Sequence, residues 1–174
     1  MAVKTQGRET QHLDRLRKQG PWMLITQLYW MSYKLLERRF YHLSVSASQA
    51  RVIEMLYYYG PIKPSLVATL LFQETQSITG ILHRIEARGW VTREPDVNDR
   101  RAVSLTLTAK GLALAEQIVA IADGLYDELF ASQLTATEKK GLESTLRKLR
   151  ERGFGLPETD FKLRRARGHV MWSF

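Results

Sequence analysis

The chain has 174 residues, is 44% hydrophobic and 25% charged, and carries a formal net charge of +8 with no cysteine. This size allows one compact domain with extensions, the missing cysteine excludes disulfides and thiolate metal sites, and no apolar run approaches the ~18 residues that span a bilayer. Residues 1–20 carry net +3 and residues 147–174 net +5, so the middle is balanced and bulk charge alone does not argue for nucleic acid.

Residues 1–20 form a basic extension without the apolar centre of a signal peptide, which predicts a cytoplasmic protein with no membrane partner. After Gly20-Pro21 the first helix is predicted over residues 22–42, with Ile25, Leu28, Tyr29, Ser32, Leu35, Leu36 and Phe40 at helical period. Ser46-Ala47-Ser48-Gln49 has the spacing of a capping box. It opens a second helix with a buried stripe of Ala50, Ile53, Leu56 and Tyr57 that ends at Gly60-Pro61. Pro64 suits a first helical turn and precedes a short helix over residues 65–71.

The fourth helix is predicted over residues 75–88. Ile78, Ile81, Leu82 and Ile85 give its amphipathic stripe, and Gly89 supplies a left-handed stop. Residues 90–93 read as a strand, residues 94–99 as a polar turn, and residues 102–107 as a second strand in which Val103, Leu105 and Leu107 alternate with Ser104 and Thr106. Thr108 is placed to cap a long helix to residue 131, and Thr135-Ala136-Thr137-Glu138 caps a last one carrying Leu142, Leu146 and Leu149.

Two short helices joined by a tight turn, with a hairpin directly after the second, make a winged helix-turn-helix. The fold class is therefore mainly α with a two-stranded β wing. A helix fits the major groove of B-DNA, which is about 12 Å wide. Opposite the isoleucines, the fourth helix presents Gln76, Thr79, Gly80 and His83, flanked by Gln73, Thr75, Ser77 and Arg84. These are hydrogen-bonding groups suited to base edges and phosphates, and Gly80 allows close backbone approach. The competing reading is a solvated polar helix face, which the hairpin that follows weakens.

Three pieces in order, Arg84-Ile85-Glu86-Ala87-Arg88-Gly89-Trp90-Val91, Asp96-Val97-Asn98-Asp99-Arg100-Arg101-Ala102-Val103 and Leu105-Thr106-Leu107-Thr108-Ala109-Lys110-Gly111, resemble the signature of the MarR (multiple antibiotic resistance regulator) family, and the likeness extends loosely over residues 22–152. The resemblance implies a homodimeric regulator of transcription, most often a repressor, on a pseudo-palindromic operator in double-stranded DNA. Its parts would be a first dimerisation helix at 21–45, the DNA-binding domain at 46–107, dimerisation helices at 108–152 and a basic tail at 153–174. Arg101 would enter the minor groove, held by Asp99, with Arg100 meeting phosphate or neighbouring acidic groups; a surface ion pair is the alternative for Asp99 and Arg101. Arg93 is a further wing candidate, and Lys63 and Ser65 are candidates for DNA-backbone contact.

One departure from the family pattern stands between the two short helices. A Gly-apolar-Ser turn is replaced by Phe72-Gln73-Glu74, which predicts that Thr75 caps the recognition helix and that Phe72 packs inward. The resemblance also implies a small, aromatic effector in a cleft, for which Tyr33, Arg38, Tyr41, His42 and Tyr57 are candidates; packing in a dimer core is the competing reading for each aromatic. The four histidines are isolated, no phosphate-binding glycine loop or serine elbow occurs, and neither an enzyme nor a cofactor is expected. A protein-interaction module or a non-specific DNA architectural protein is the alternative function.

Overall fold

The computed structural model describes residues 19–95 and 102–154, and the chain divides into one unit up to Arg39 and a second from Phe40. The described part of the first unit is helix α1, Gly20–Phe40, which closes at Phe40. Its side chains from Trp22 to Met31 are all exposed, the apolar ones among them distributed around the whole circumference. Tyr29 meets Trp30 edge-on at 5.4 Å between ring centroids and lies 6.3 Å from Tyr33. A 3₁₀ turn, Tyr41–Leu43, follows, and Ser44 turns the chain with a left-handed φ of 54°.

In the second unit, helix α2 (Ala47–Tyr59) begins with the predicted capping box: the Gln49 amide donates to Ser46 Oγ at 3.2 Å, and the Ser46 amide to Gln49 Oε1 at 3.0 Å. Ala50, Ile53 and Leu56 are buried as predicted, but the buried tyrosine is Tyr58, and Tyr57 is half-buried. The reason is that α2 is the central helix. It packs against helix α4 (Thr75–Ala87), strand β2 (Val103–Leu107) and helix α5 (Ala109–Tyr126), so Val52 and Met55 are also covered and the buried arc is wider than one stripe. Helix α3, Pro64–Leu70, has its proline at the first turn.

Strand β1, Val91–Pro95, pairs antiparallel with β2 from Val91↔Leu107 to Pro95↔Val103. The hairpin is thus longer than predicted: Glu94 and Pro95, expected in the turn, are paired, while Trp90 is buried before the strand starts. The alternation expected of β2 does not hold, because Ser104 is buried with Leu105 and Val103 is exposed. Ile62 bridges Leu105 through two backbone hydrogen bonds, of 3.3 and 2.9 Å. The base of β2 is therefore covered on both edges, whereas Val103 lies toward the hairpin tip.

The long helix predicted to residue 131 is α-helical only to Tyr126 and widens into a π-helical turn, Asp127–Ala131, where Tyr126 stacks on Phe130. Helix α6, Ala136–Phe154, starts at the predicted Thr135–Glu138 box; hydrogen bonds from the Thr135 hydroxyl and amide hold the Glu138 carboxyl below its usual range. Leu142, Leu146 and Leu149 form an exposed apolar stripe on it. Among the described residues, no helix is long and apolar enough to cross a membrane, and no cluster of His, Asp and Glu could hold a metal ion.

Candidate nucleic-acid interface

The buried stripe of α4 is the predicted one: Ile78, Ile81, Leu82 and Ile85 are all buried. With those four fixed inward, helical geometry turns the rest of the helix outward. Thr75, Gln76, Ser77, Thr79, His83 and Arg84 are exposed, and Gly80 is partly so. The Thr79 hydroxyl donates to the Thr75 carbonyl at 2.8 Å, which fixes its rotamer along the helix. A methyl group built on Gly80 would find its nearest neighbour at 3.7 Å, the mobile Arg84 guanidinium, so the protein's own packing does not require glycine there.

The turn leading into α4 corrects two expectations. Glu74, not Thr75, occupies the N-cap position, with no side-chain cap hydrogen bond; Thr75 is the first helical residue. Phe72 does not pack inward but is 58% exposed, with φ at 50°. Both features have one cause. The Gln73 amide bonds the Ala68 carbonyl and the Phe72 amide the Thr69 carbonyl, which is a Schellman stop whose left-handed residue is Phe72. That backbone points the ring away from the core.

The far end of α4 stops in the same way, with Gly89 at φ 70°, the Trp90 amide on Ile85 O and the Gly89 amide on Glu86 O. The next carbonyls are then taken up in turn. Arg88 O accepts from Lys110 Nζ at 2.9 Å, Gly89 O from the Thr108 hydroxyl at 2.7 Å, and Trp90 O from the Thr108 amide at 3.1 Å. The Arg88 guanidinium donates to Ser44 O at 2.7 Å and lies 4.9 Å from the Trp90 ring centroid.

Of the wing candidates, Arg93 grips Glu86 of α4 through two hydrogen bonds, of 2.5 and 3.1 Å, which hold its guanidinium above its ordinary pKa. This pair ties β1 to the outer side of α4, a contact the sequence pattern did not single out. Asp99, Arg100 and Arg101 lie outside the described residues, as do residues 1–18 and 155–174. Lys63 is the N-cap residue of α3 and half-buried, and Ser65 is exposed. Of the effector candidates, Tyr33 and Arg38 belong to the first unit, and Tyr41, His42 and Tyr57 to the second; Tyr41 and His42 are exposed. Behind α4, burial raises the Glu54 carboxyl on α2, Arg51 opposes that shift and Asp123 of α5 adds to it. Burial, with Glu54 and Asp123 nearby, pushes Tyr58 up to about 12.

Comparison with known proteins places this geometry. A family model described as the MarR family matches residues 45–103. The multiple antibiotic resistance protein MarR of Escherichia coli (strain K12) is 32% identical over 117 residues, covering 67% of this chain and 81% of that protein. A crystal structure of mutant MarR from E. coli complexed with operator DNA superposes with a TM-score of 0.68 at 30% identity, covering 77% of this chain and 96% of that one. The organohalide-sensing RdhR transcriptional regulator, crystallised with 2,4-dichlorophenol, gives a TM-score of 0.68 at 25% identity, covering 81% of this chain and 83% of that one.

Proposed function

The chain belongs to the MarR family of transcriptional regulators, which are not enzymes, and from that premise we propose that it recognises a pseudo-palindromic operator as a homodimer, with α4 in the major groove and the wing at the minor groove. The observation that carries this reading is the outward face of α4. Gln76, Thr79, Gly80, His83 and Arg84 stand opposite four buried aliphatic side chains, and the glycine serves no packing need of its own. Gln76 can bond adenine bidentately and Arg84 guanine or phosphate. Thr75 and Ser77 flank them for phosphate contact, and Lys63 and Ser65 are further backbone candidates. Arg93 supports the wing through Glu86, while Asp99, Arg100 and Arg101 enter by their resemblance to the family's wing tip.

The exposed apolar side chains of α1 and the Leu142, Leu146 and Leu149 stripe of α6 support association with a second copy. Occupying an operator blocks other proteins from the same duplex, so the expected action is repression. A small aromatic ligand is proposed to relieve it. Support comes from the likeness to a regulator crystallised with a chlorophenol; Tyr33, Arg38, Tyr41, His42 and Tyr57 are the candidates that the family resemblance offers for contact with such a ligand.

The test is selection of bound genomic fragments by the purified full chain, repeated with Arg101→Ala. A palindromic motif is expected, bound at least tenfold more weakly by the variant, a loss of about 1.4 kcal/mol. Binding that is steeply salt-dependent but indifferent to sequence would replace this reading with an architectural one. Absence of DNA binding would overturn it altogether.

A further inference from the structure

The start of α5 breaks the ordinary rules for a helix N-terminus twice. Lys110 sits in the first turn, where a cation has the wrong sign for the helix dipole. Gly111 follows at the third position, where its propensity is poor. Neither residue serves α5. A Cβ on Gly111 would lie 1.9 Å from the Trp90 carbonyl oxygen and 2.8 Å from its carbon, so only glycine lets the two backbones approach this closely. The ammonium of Lys110 reaches across to Arg88 O, at the C-terminal end of α4, where a cation has the favourable sign.

Thr108 joins the two ends with one side chain. Its hydroxyl oxygen accepts from the Gly111 amide at 3.0 Å, capping α5, while the hydroxyl donates to Gly89 O. Residues 108–110 take the carbonyl of Arg88, the C-cap residue of α4, and those of Gly89 and Trp90 just beyond it. The departures from good helix chemistry in α5 are thus explained by what they do for α4.

We propose that Thr108, Lys110 and Gly111 are positioning residues for DNA recognition: they fix the direction of α4 by clamping its C-terminal carbonyls to the first turn of α5, so that the orientation of the recognition face is set by α5. The proposal rests on the reading that α4 faces DNA. Besides its buried stripe, α4 is held by the Arg93–Glu86 pair on its side and the Arg88–Ser44 bond at its end; the clamp adds a fixed reference to α5. Its loss weakens contacts that need exact placement, those to base edges, more than contacts to phosphate.

The experiment uses the full chain and four variants, Lys110→Met, Lys110→Arg, Thr108→Val and Thr108→Ser. Affinity is measured on the operator selected by the wild type and on a random duplex of equal length, across a salt series, with a thermal melt of each protein. Lys110→Met is expected to weaken operator binding about three- to tenfold, as loss of a charge-assisted helix-end contact would. Random-duplex affinity should stay within about twofold and the salt slope unchanged, because no phosphate contact is lost. Lys110→Arg restores operator affinity, Thr108→Val repeats the selective loss, and Thr108→Ser reverses it. Unchanged operator affinity in both Lys110→Met and Thr108→Val overturns the clamp. Equal losses on both duplexes with a salt slope smaller by about one make Lys110 a direct phosphate contact and also overturn it. A wild type that selects no operator is a separate result, which removes the DNA reading itself.

Discussion

Gly80 offers a perturbation whose effects on stability and on binding have opposite signs. It lies inside α4 with ordinary helical backbone, and a methyl group there would meet only the Arg84 guanidinium at 3.7 Å, an ordinary van der Waals contact with a movable group. Replacing glycine by alanine in such a position stabilises a protein by about 0.5–1 kcal/mol, through helix propensity and lower unfolded-state entropy. For a chain of this length that is a rise of roughly 1–4 °C in melting temperature. The added methyl points to the side opposite Ile78 and Ile85, where the backbone is proposed to approach DNA. Operator affinity of Gly80→Ala should therefore fall, by about tenfold if the helix must back out of the groove, equivalent to about 1.4 kcal/mol. Calorimetry of the free protein and fluorescence anisotropy on labelled operator read the two effects separately. A variant that is more stable and binds as well as the wild type would refute the close approach. A less stable one would refute the account of α4 as free of internal constraint at this position.

Two further substitutions probe features away from the proposed contact face. Phe72→Gly relieves a left-handed conformation that costs a side chain roughly 1 kcal/mol or more, and the exposed ring gives up little burial. The net gain expected after glycine's own entropy is about 0.5–1 kcal/mol, seen as a higher urea midpoint with unchanged slope; a lower midpoint would mean that the ring packs usefully. Glu54→Gln addresses a carboxyl whose pKa burial raises on folding. Such a group adds no penalty below its unfolded pKa and destabilises increasingly as pH rises through the folded value. The variant should melt above the wild type at pH 7–8 and converge with it near pH 4, and a gain that persists in acid would contradict the assignment.

What could be read from the chain was whatever is encoded locally. The isoleucine stripe of α4, the Ser46–Gln49 and Thr135–Glu138 boxes and the left-handed Gly89 each follow from spacing within one turn or one motif, and each is found in place. The misreadings have a common origin in contacts that spacing does not reveal. Phe72 was expected inward because large apolar side chains usually are, yet the Schellman geometry at the end of α3 decides its direction. Ser104 is buried beside Leu105, the residue that Ile62, from a distant segment, bridges. The Lys110–Arg88 and Arg93–Glu86 contacts join residues 22 and 7 positions apart, and only the folded hairpin brings them together. A lysine and a glycine in one helical first turn are the local signal that could have found the former.

The apolar circumference of α1 bears on gene dosage. The exposed apolar side chains between Trp22 and Met31 are the ones proposed above to meet a second copy, and chain concentration then enters the folding equilibrium itself. Melting temperature should rise as the protein is concentrated. At low abundance, operator occupancy should follow the square of the chain concentration, so that halving expression vacates about three quarters of the sites then occupied.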